Sequence, residues 1–304
     1  MIIAVFPGQG SQSPGFLAPW LERDGARERL AQYSEWADVD LIAAGTEWDA
    51  DRIRDTRVAQ PLIVAASLLS WNSLDGRGRV SGVAGHSVGE FAAAAAAGVL
   101  SEEDALRLVG IRGRAMAEAA AAEQTGMSAV IGGDEASVVS RLEELDLTPA
   151  NYNGGGQLVA AGALDALQKL AADPVAGTRV IPLQVAGAFH TRYMAPAVDK
   201  LRDAASQVAT NDPALRVWTN RDGSVVESGA AYRDLLVEQV ASPVRWDLCM
   251  TSFADAGVTG LVELSPAGTL VGLAKRALRG VPGVALKTPD DLASADALLN
   301  GETA

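Results

Sequence analysis

Val80-Ser81-Gly82-Val83-Ala84-Gly85-His86-Ser87-Val88-Gly89-Glu90-Phe91, running on into six alanines at 92–97, is the stretch that decides how the whole chain is read. Residues 80–84 are short and apolar, as a buried strand is. The pattern G-x-S-x-G follows from Gly85 to Gly89, and the alanine-rich run behind it reads as a helix that stops near Gly98. Strand, tight turn and helix with a serine at the apex make a nucleophile elbow. The flanking glycines let neighbouring backbone come close, and the hydroxyl stands beside a helix N-terminus. That N-terminus offers free N–H groups and the positive end of a dipole to an anionic intermediate. The pentapeptide is common by itself, and its place between strand and helix is what gives it weight.

Working outward, residues 2–6 read as a first buried strand that runs into the turn Pro7-Gly8-Gln9-Gly10-Ser11-Gln12. Residues 59–74 form an apolar-periodic helix ended by Asp75-Gly76. Ser101 with Glu102, Glu103 and Asp104 starts another, which continues past Arg112 and Met116. From 126 to 183 the pattern changes. Strand-like segments at 127–131, 148–152, 158–161 and 178–185 alternate with helical ones at 135–145 and 163–172. This β-α-β-β-α-β order suits a ferredoxin-like insert. A helix near 232–240, a strand at 260–264 and a last helix from about 269 complete the pass. The expected class is α/β. A large α/β-hydrolase-like domain with a parallel sheet core takes residues 1–124 and 190–304, and a small ferredoxin-like α+β subdomain takes 125–189.

At 304 residues, and with about 150 residues per domain as a rule, two units are expected. The apolar run around 91–100 is too short and too rich in alanine to span a bilayer. No basic segment precedes the first strand, so a signal peptide is not expected. Cys249 is the only cysteine, which rules out an intrachain disulfide and cysteine-based metal sites. The chain reads as cytoplasmic, and its start at Met1 reads as a discrete enzyme. A net charge of -13 opposes a nucleic-acid partner, because a phosphate backbone is repelled by the field of the whole molecule.

A serine hydroxyl is a weak nucleophile and needs a base. Only His86 and His190 are available. His86 adjoins Ser87, and at a tight elbow adjacent side chains diverge, so His190 is the better base, supplied from a distant segment. A tetrahedral intermediate needs two N–H donors. One is the backbone N–H of Val88, directly after the nucleophile; the other is expected from the 7–10 turn, at Gln9. That turn lacks the third glycine of G-x-G-x-x-G, since position 13 is Ser, and a dinucleotide site is rejected. Arg112 carries a guanidinium fork suited to bidentate capture of a carboxylate, though an arginine on a helix is more often a solvated residue.

These residues converge on a family. The chain resembles the malonyl-CoA:acyl carrier protein transacylases and the acyltransferase domains of fatty-acid and polyketide synthases. The resemblance rests on Phe6-Pro7-Gly8-Gln9-Gly10-Ser11-Gln12, Gly85-His86-Ser87-Val88-Gly89-Glu90, Arg112-Gly113-x-x-Met116, Asn151-x-Asn153 with Gly156-Gln157, Gly187-Ala188-Phe189-His190, and Gln239-x-x-Ser242-Pro243-Val244-x-Trp246. The motifs stand in family order and span residues 6–246. The resemblance implies an acyl ester on Ser87, with His190 as base and then acid. It implies that the backbone carbonyl of Gln239 orients His190, that Gln9 and Val88 form the oxyanion hole, and that Arg112 pairs with the malonyl carboxylate. Phe189, with a residue other than Gln at 88, goes with malonyl over methylmalonyl. Asn153 falls near the site, and His86 is counted with it among the substrate-binding residues.

The implied partners are malonyl-CoA and acyl carrier protein, with no cofactor and no metal. Lys275, Arg276, Arg279 and Arg192 are the basic residues expected to meet an acidic carrier. Two departures from the family pattern, Ser265-Pro266-Ala267 and Gly155, touch only loop shape. One rival is a serine thioesterase or esterase of the α/β-hydrolase type, which would place its histidine late; no histidine follows His190. A non-catalytic docking module is the other, and it has no need of Ser87, His190, Gln9 and Arg112 together.

Overall fold

Ile2–Phe6 is an unbroken apolar run because both of its faces are covered. In the structure, a computed structural model that describes residues 1–302, this strand (β1) lies at the centre of a six-stranded sheet. The remaining strands are β2 (Gly82–Gly85), β3 (Thr125–Gly132), β4 (Thr148–Gly154), β5 (Gln157–Ala163), β6 (Thr178–Pro182), β7 (Arg216–Trp218), β8 (Val225–Val226), β9 (Val244–Arg245), β10 (Gly260–Glu263) and β11 (Gly283–Ala285). The larger sheet has the order β11-β10-β1-β2-β7-β8, parallel throughout except for the β7–β8 edge pair.

Successive strand side chains point to opposite faces, and the core divides accordingly. Ala4, Phe6, Val83 and Val262 pack against helices Thr56–Asn72, Gly89–Ala96 and Glu102–Ala122. Ile3, Val5, Ala84 and Leu261 face Trp246–Asp255 and Thr269–Ala277 instead. Parallel strands buried on both sides are the signature of such a sheet.

The second sheet has the order β6-β3-β5-β4-β9. Its first four strands are antiparallel, and β9 joins β4 in parallel through Asn151↔Val244 and Tyr152↔Arg245. Val130, Leu158 and Ala160 bury one face against the amphipathic helices Glu135–Glu144 and Leu164–Ala172. The opposite face, with Met127, Ala129, Asn153 and Val159, looks into a cleft of about 290 Å³ whose other wall is the end of the large sheet.

The helix beginning at Thr269 is not the last. Strand β11 and helix Leu292–Leu299 follow it, and Leu292, Ala295 and Leu299 are buried in the main core. The strand expected to run to residue 185 stops at Pro182, where its pairing with β3 ends. Among the described residues no helix is long and apolar enough to cross a membrane.

Glu263, at the end of β10, is 0% exposed and works inside the fold. Its two oxygens accept the N–H groups of Leu270 (3.0 Å) and Val271 (2.9 Å), capping the helix that supplies Leu270 and Leu273 to the cleft. Buried helix N-terminal donors must find acceptors. Glu263→Ala is expected to cost about 3 kcal/mol, since both donors are left dry. Urea unfolding of the variant measures it, and a change below about 1 kcal/mol would contradict the cap.

Candidate active site

The elbow is held by backbone packed on backbone. Ser87 sits at φ +52°, a left-handed conformation that a serine adopts only at a cost. A Cβ on Gly85 would fall 2.1 Å from the N of Glu90, and one on Gly89 would fall 2.2 Å from the carbonyl O of Phe6. Both glycines are therefore required, the first to fold the turn and the second to bring β1 against it. Asn220, just beyond β7, closes the arrangement. Its Oδ1 accepts the Ser87 N–H (2.7 Å) and its Nδ2 donates to the carbonyl of Gly85 (2.7 Å).

Ser87 Oγ lies 2.7 Å from His190 Nε2. His190 Nδ1 lies 2.8 Å from the carbonyl O of Gln239. A carbonyl only accepts, so Nδ1 carries the proton and Nε2 is left with a lone pair facing the serine. Burial, and after it the positive charge of Arg112, pushes the His190 pKa down to about 3. The imidazole is thus neutral and ready to take a proton. The backbone N–H groups of Gln9 and Val88 come from the two turns that meet here, and both residues line the cleft. Among the described residues neither N–H is engaged in a hydrogen bond.

Arg112 is 1% exposed and sits in no salt bridge among the described residues. Its Nη1 donates to Gln60 Oε1 (2.7 Å), and its Nη2 donates to Gln239 Oε1 (2.8 Å) and reaches Ser87 Oγ at 3.4 Å. Nε has no partner among the described residues. A buried cation satisfied only by neutral amides costs free energy until an anion arrives. Burial brings its pKa down to about 9, with the carboxyl of Glu90 pulling the other way.

His86 points away from Ser87, its Nε2 2.9 Å from Asn153 Oδ1 and its ring edge-on to Trp246. Asn153 and Phe189 also line the cleft. Of the basic residues expected to meet a carrier, Arg192 is held by Asp146 through two contacts of 3.1 and 2.6 Å. Arg276 donates to Gln157 Oε1 (3.2 Å) at the cleft rim.

Asn220 and Gln60 lie outside every sequence motif; Gln60 carries one signal, an amide inside the apolar run of its helix, and Asn220 carries none.

Acyl transfer through a serine is chemistry this cleft can perform, and the fold and cleft define a serine acyltransferase. Residues 3–291 match the acyl transferase domain, and the chain belongs to that family. It is 55% identical over 296 residues to the malonyl CoA-acyl carrier protein transacylase of Mycobacterium tuberculosis, covering 96% of this chain and 98% of that one. The enzyme of the same name from Escherichia coli K12 is 36% identical over 301 residues, covering 96% and 97%. The crystal structure of MCAT from Mycobacterium tuberculosis aligns with a TM-score of 0.94 at 54% identity, over 97% of this chain and all of that one. A malonyl-transacylase solved in complex with its type II polyketide acyl-carrier protein aligns with a TM-score of 0.90 at 33% identity, over 97% and 98%.

With His190 depressed to about 3 against 6.5 in the unfolded chain, its neutral form prevails across the neutral range. The catalytic efficiency of serine acylation is therefore expected to stay level from about pH 7 down to about pH 5. Between the two pKa values the unfolded chain binds a proton that the native site refuses, so stability falls as the pH drops through that window. Stopped-flow acylation across pH reads the first, and a loss centred near the ordinary histidine pKa would contradict it.

Proposed function

We propose that the chain moves a malonyl group from malonyl-CoA to the phosphopantetheine thiol of an acyl carrier protein, through an ester on Ser87. The observation that carries this reading is the double engagement of Ser87 Oγ. It faces the lone pair of a neutral His190 on one side and the uncompensated guanidinium of Arg112 on the other. Close relatives named malonyl CoA-acyl carrier protein transacylase support the donor and the acceptor.

Ser87 Oγ attacks the thioester carbonyl while His190 Nε2 takes its proton. The oxygen of the tetrahedral intermediate is met by the N–H groups of Gln9 and Val88. The carbon–sulfur bond breaks, and CoA leaves with the proton returned by His190. In the second half the carrier thiol gives its proton to His190 and attacks the ester, and Ser87 regains a proton as its oxygen leaves. The Gln239 carbonyl keeps His190 in one tautomer throughout, the orienting duty an acid performs in other triads. Arg112 pairs with the malonyl carboxylate, and the Phe189 ring limits room beside the acyl carbon. His86 and Asn153 shape the wall behind.

In this reading residues 125–189 are a ferredoxin-like subdomain. The order β3-helix-β4-β5-helix-β6 and the spatial order β6-β3-β5-β4 support it. Residues 1–124 and 190–304 are the α/β-hydrolase-like domain, on the strength of the parallel core and the elbow. A single buried cysteine and a net charge of -13 support a cytoplasmic protein without a nucleic-acid partner. Lys275 and Arg276, on the helix that lines the cleft, are the carrier-facing cations.

Intact-protein mass after brief incubation with malonyl-CoA tests the reaction. Wild type is expected to gain one malonyl group that carrier protein then discharges, and Ser87→Ala is expected to gain none. Steady CoA release into water without an adduct would indicate a thioesterase. Arg112→Ala is expected to slow malonyl transfer by about tenfold or more beyond any effect on acetyl transfer, the worth of one charge-assisted contact. Equal losses with both donors, compared by steady-state kinetics, would remove Arg112 from carboxylate recognition.

A further inference from the structure

Glu90 closes the elbow motif in sequence, yet no step above uses it. It stands in the first turn of helix Gly89–Ala96 and is 1% exposed, a carboxyl group sealed beneath the nucleophile. Such a group is costly to bury and must be satisfied on all sides. Glu90 Oε1 accepts the N–H of Asn220 (2.8 Å), the residue that clamps the Ser87 turn. Glu90 Oε2 accepts from the side-chain nitrogen of Gln239.

We propose that Glu90 is a positioning residue which, by fixing the side-chain amide of Gln239, sets the orientation of Arg112 and hence the preference for an acyl group bearing a carboxylate. The inference rests on the malonyl-transfer reading and extends it to a residue outside the cleft.

The two ends of one amide carry the link. Gln239 Nε2 faces two acceptors, the Ser87 carbonyl (3.0 Å) and Glu90 Oε2. Its Oε1 faces a donor, Arg112 Nη2 (2.8 Å). Turning the amide over would set oxygen against oxygen at one end and N–H against N–H at the other. Glu90 and the Ser87 carbonyl together therefore dictate that Arg112 meets the oxygen end. Gln239 also accepts His190 Nδ1–H through its backbone carbonyl, so its side chain and its peptide group serve the cation and the base together.

The separation matters as much as the link. A carboxylate in direct contact would neutralise Arg112. With an amide interposed, the guanidinium is oriented and still keeps its charge for the substrate, with Nε unpaired among the described residues.

The test is Glu90→Gln in the full chain, with kcat/KM measured for malonyl-CoA and acetyl-CoA. The new amide keeps its oxygen for the N–H of Asn220 and so turns its own N–H groups on Gln239 Nε2. With the Ser87 carbonyl still holding Nε2, donor meets donor and the Gln239 side chain is displaced from Arg112. The malonyl-to-acetyl preference is expected to fall about tenfold, while acetyl transfer changes less than about threefold. Glu90→Asp, which keeps the acceptor but draws it back by one methylene, is expected to fall between wild type and Glu90→Gln. A preference unchanged in Glu90→Gln overturns the proposal, and so does an even loss with both donors. If that variant fails to fold, an unchanged preference in Glu90→Asp does the same. A wild-type enzyme that acquires no malonyl ester on Ser87 would instead refute the transfer reaction itself.

Discussion

A serine held in a left-handed conformation at the foot of a parallel sheet is the constraint on which this molecule is arranged. Such a residue stores roughly 1–3 kcal/mol, which the surroundings must hold in place. The surroundings here are two glycines with no room for a methyl group, the end of β1 pressed against the turn, and an asparagine bonded to both sides of the turn. His190 is strained as well, at φ +60°, and is secured by the carbonyl of Gln239. Each conformation is held by hydrogen bonds from residues distant in the chain, Asn220 for Ser87 and Gln239 for His190.

Electrostatics makes the second layer. The interior around Ser87 holds a cation, an imidazole and a carboxyl group, all fully buried. Burial penalises the charged form of each, lowering His190 and Arg112 and raising Glu90, while the N–H of Asn220 and the side-chain amide of Gln239 favour the Glu90 carboxylate. Neutral amides from Gln60, Gln239 and Asn220 keep these groups apart and aimed. The result is a site whose unmet demand is for a negative charge, beside a base that needs no deprotonation at neutral pH.

Much of this was legible in the sequence because the chemistry lies in contiguous stretches. The elbow combines glycine sterics, an apolar strand and a helix within a dozen residues, and the β-α-β-β-α-β insert carries ordinary periodicities. What escaped has physical reasons. Strands β7, β8 and β9 are two or three residues long, below any period that can be read, and helix Leu292–Leu299 is only eight. Gln239 offers His190 a backbone carbonyl, which every residue type possesses, so only the family resemblance pointed to it. Asn220 and Gln60 meet the site across the fold and leave no local pattern. Arg112 has the local sequence of a solvated helix residue, and only its burial distinguishes it.

The two-residue strand β9 has a consequence for evolution and for engineering. It belongs to the segment that directly follows Gln239, yet it hydrogen-bonds into the smaller sheet beside β4. The smaller unit is consequently not a cassette. A chimaera that exchanges residues 125–189 with those of a relative would cut a ladder whose last rung stays behind in the host chain. The donor sheet would have to match a foreign strand at Asn151 and Tyr152, and any misfit there would be passed along the chain within a few residues to the carbonyl that holds the base. Acyl preference in this architecture is more safely changed one side chain at a time than by transplanting the wall that forms half the cleft.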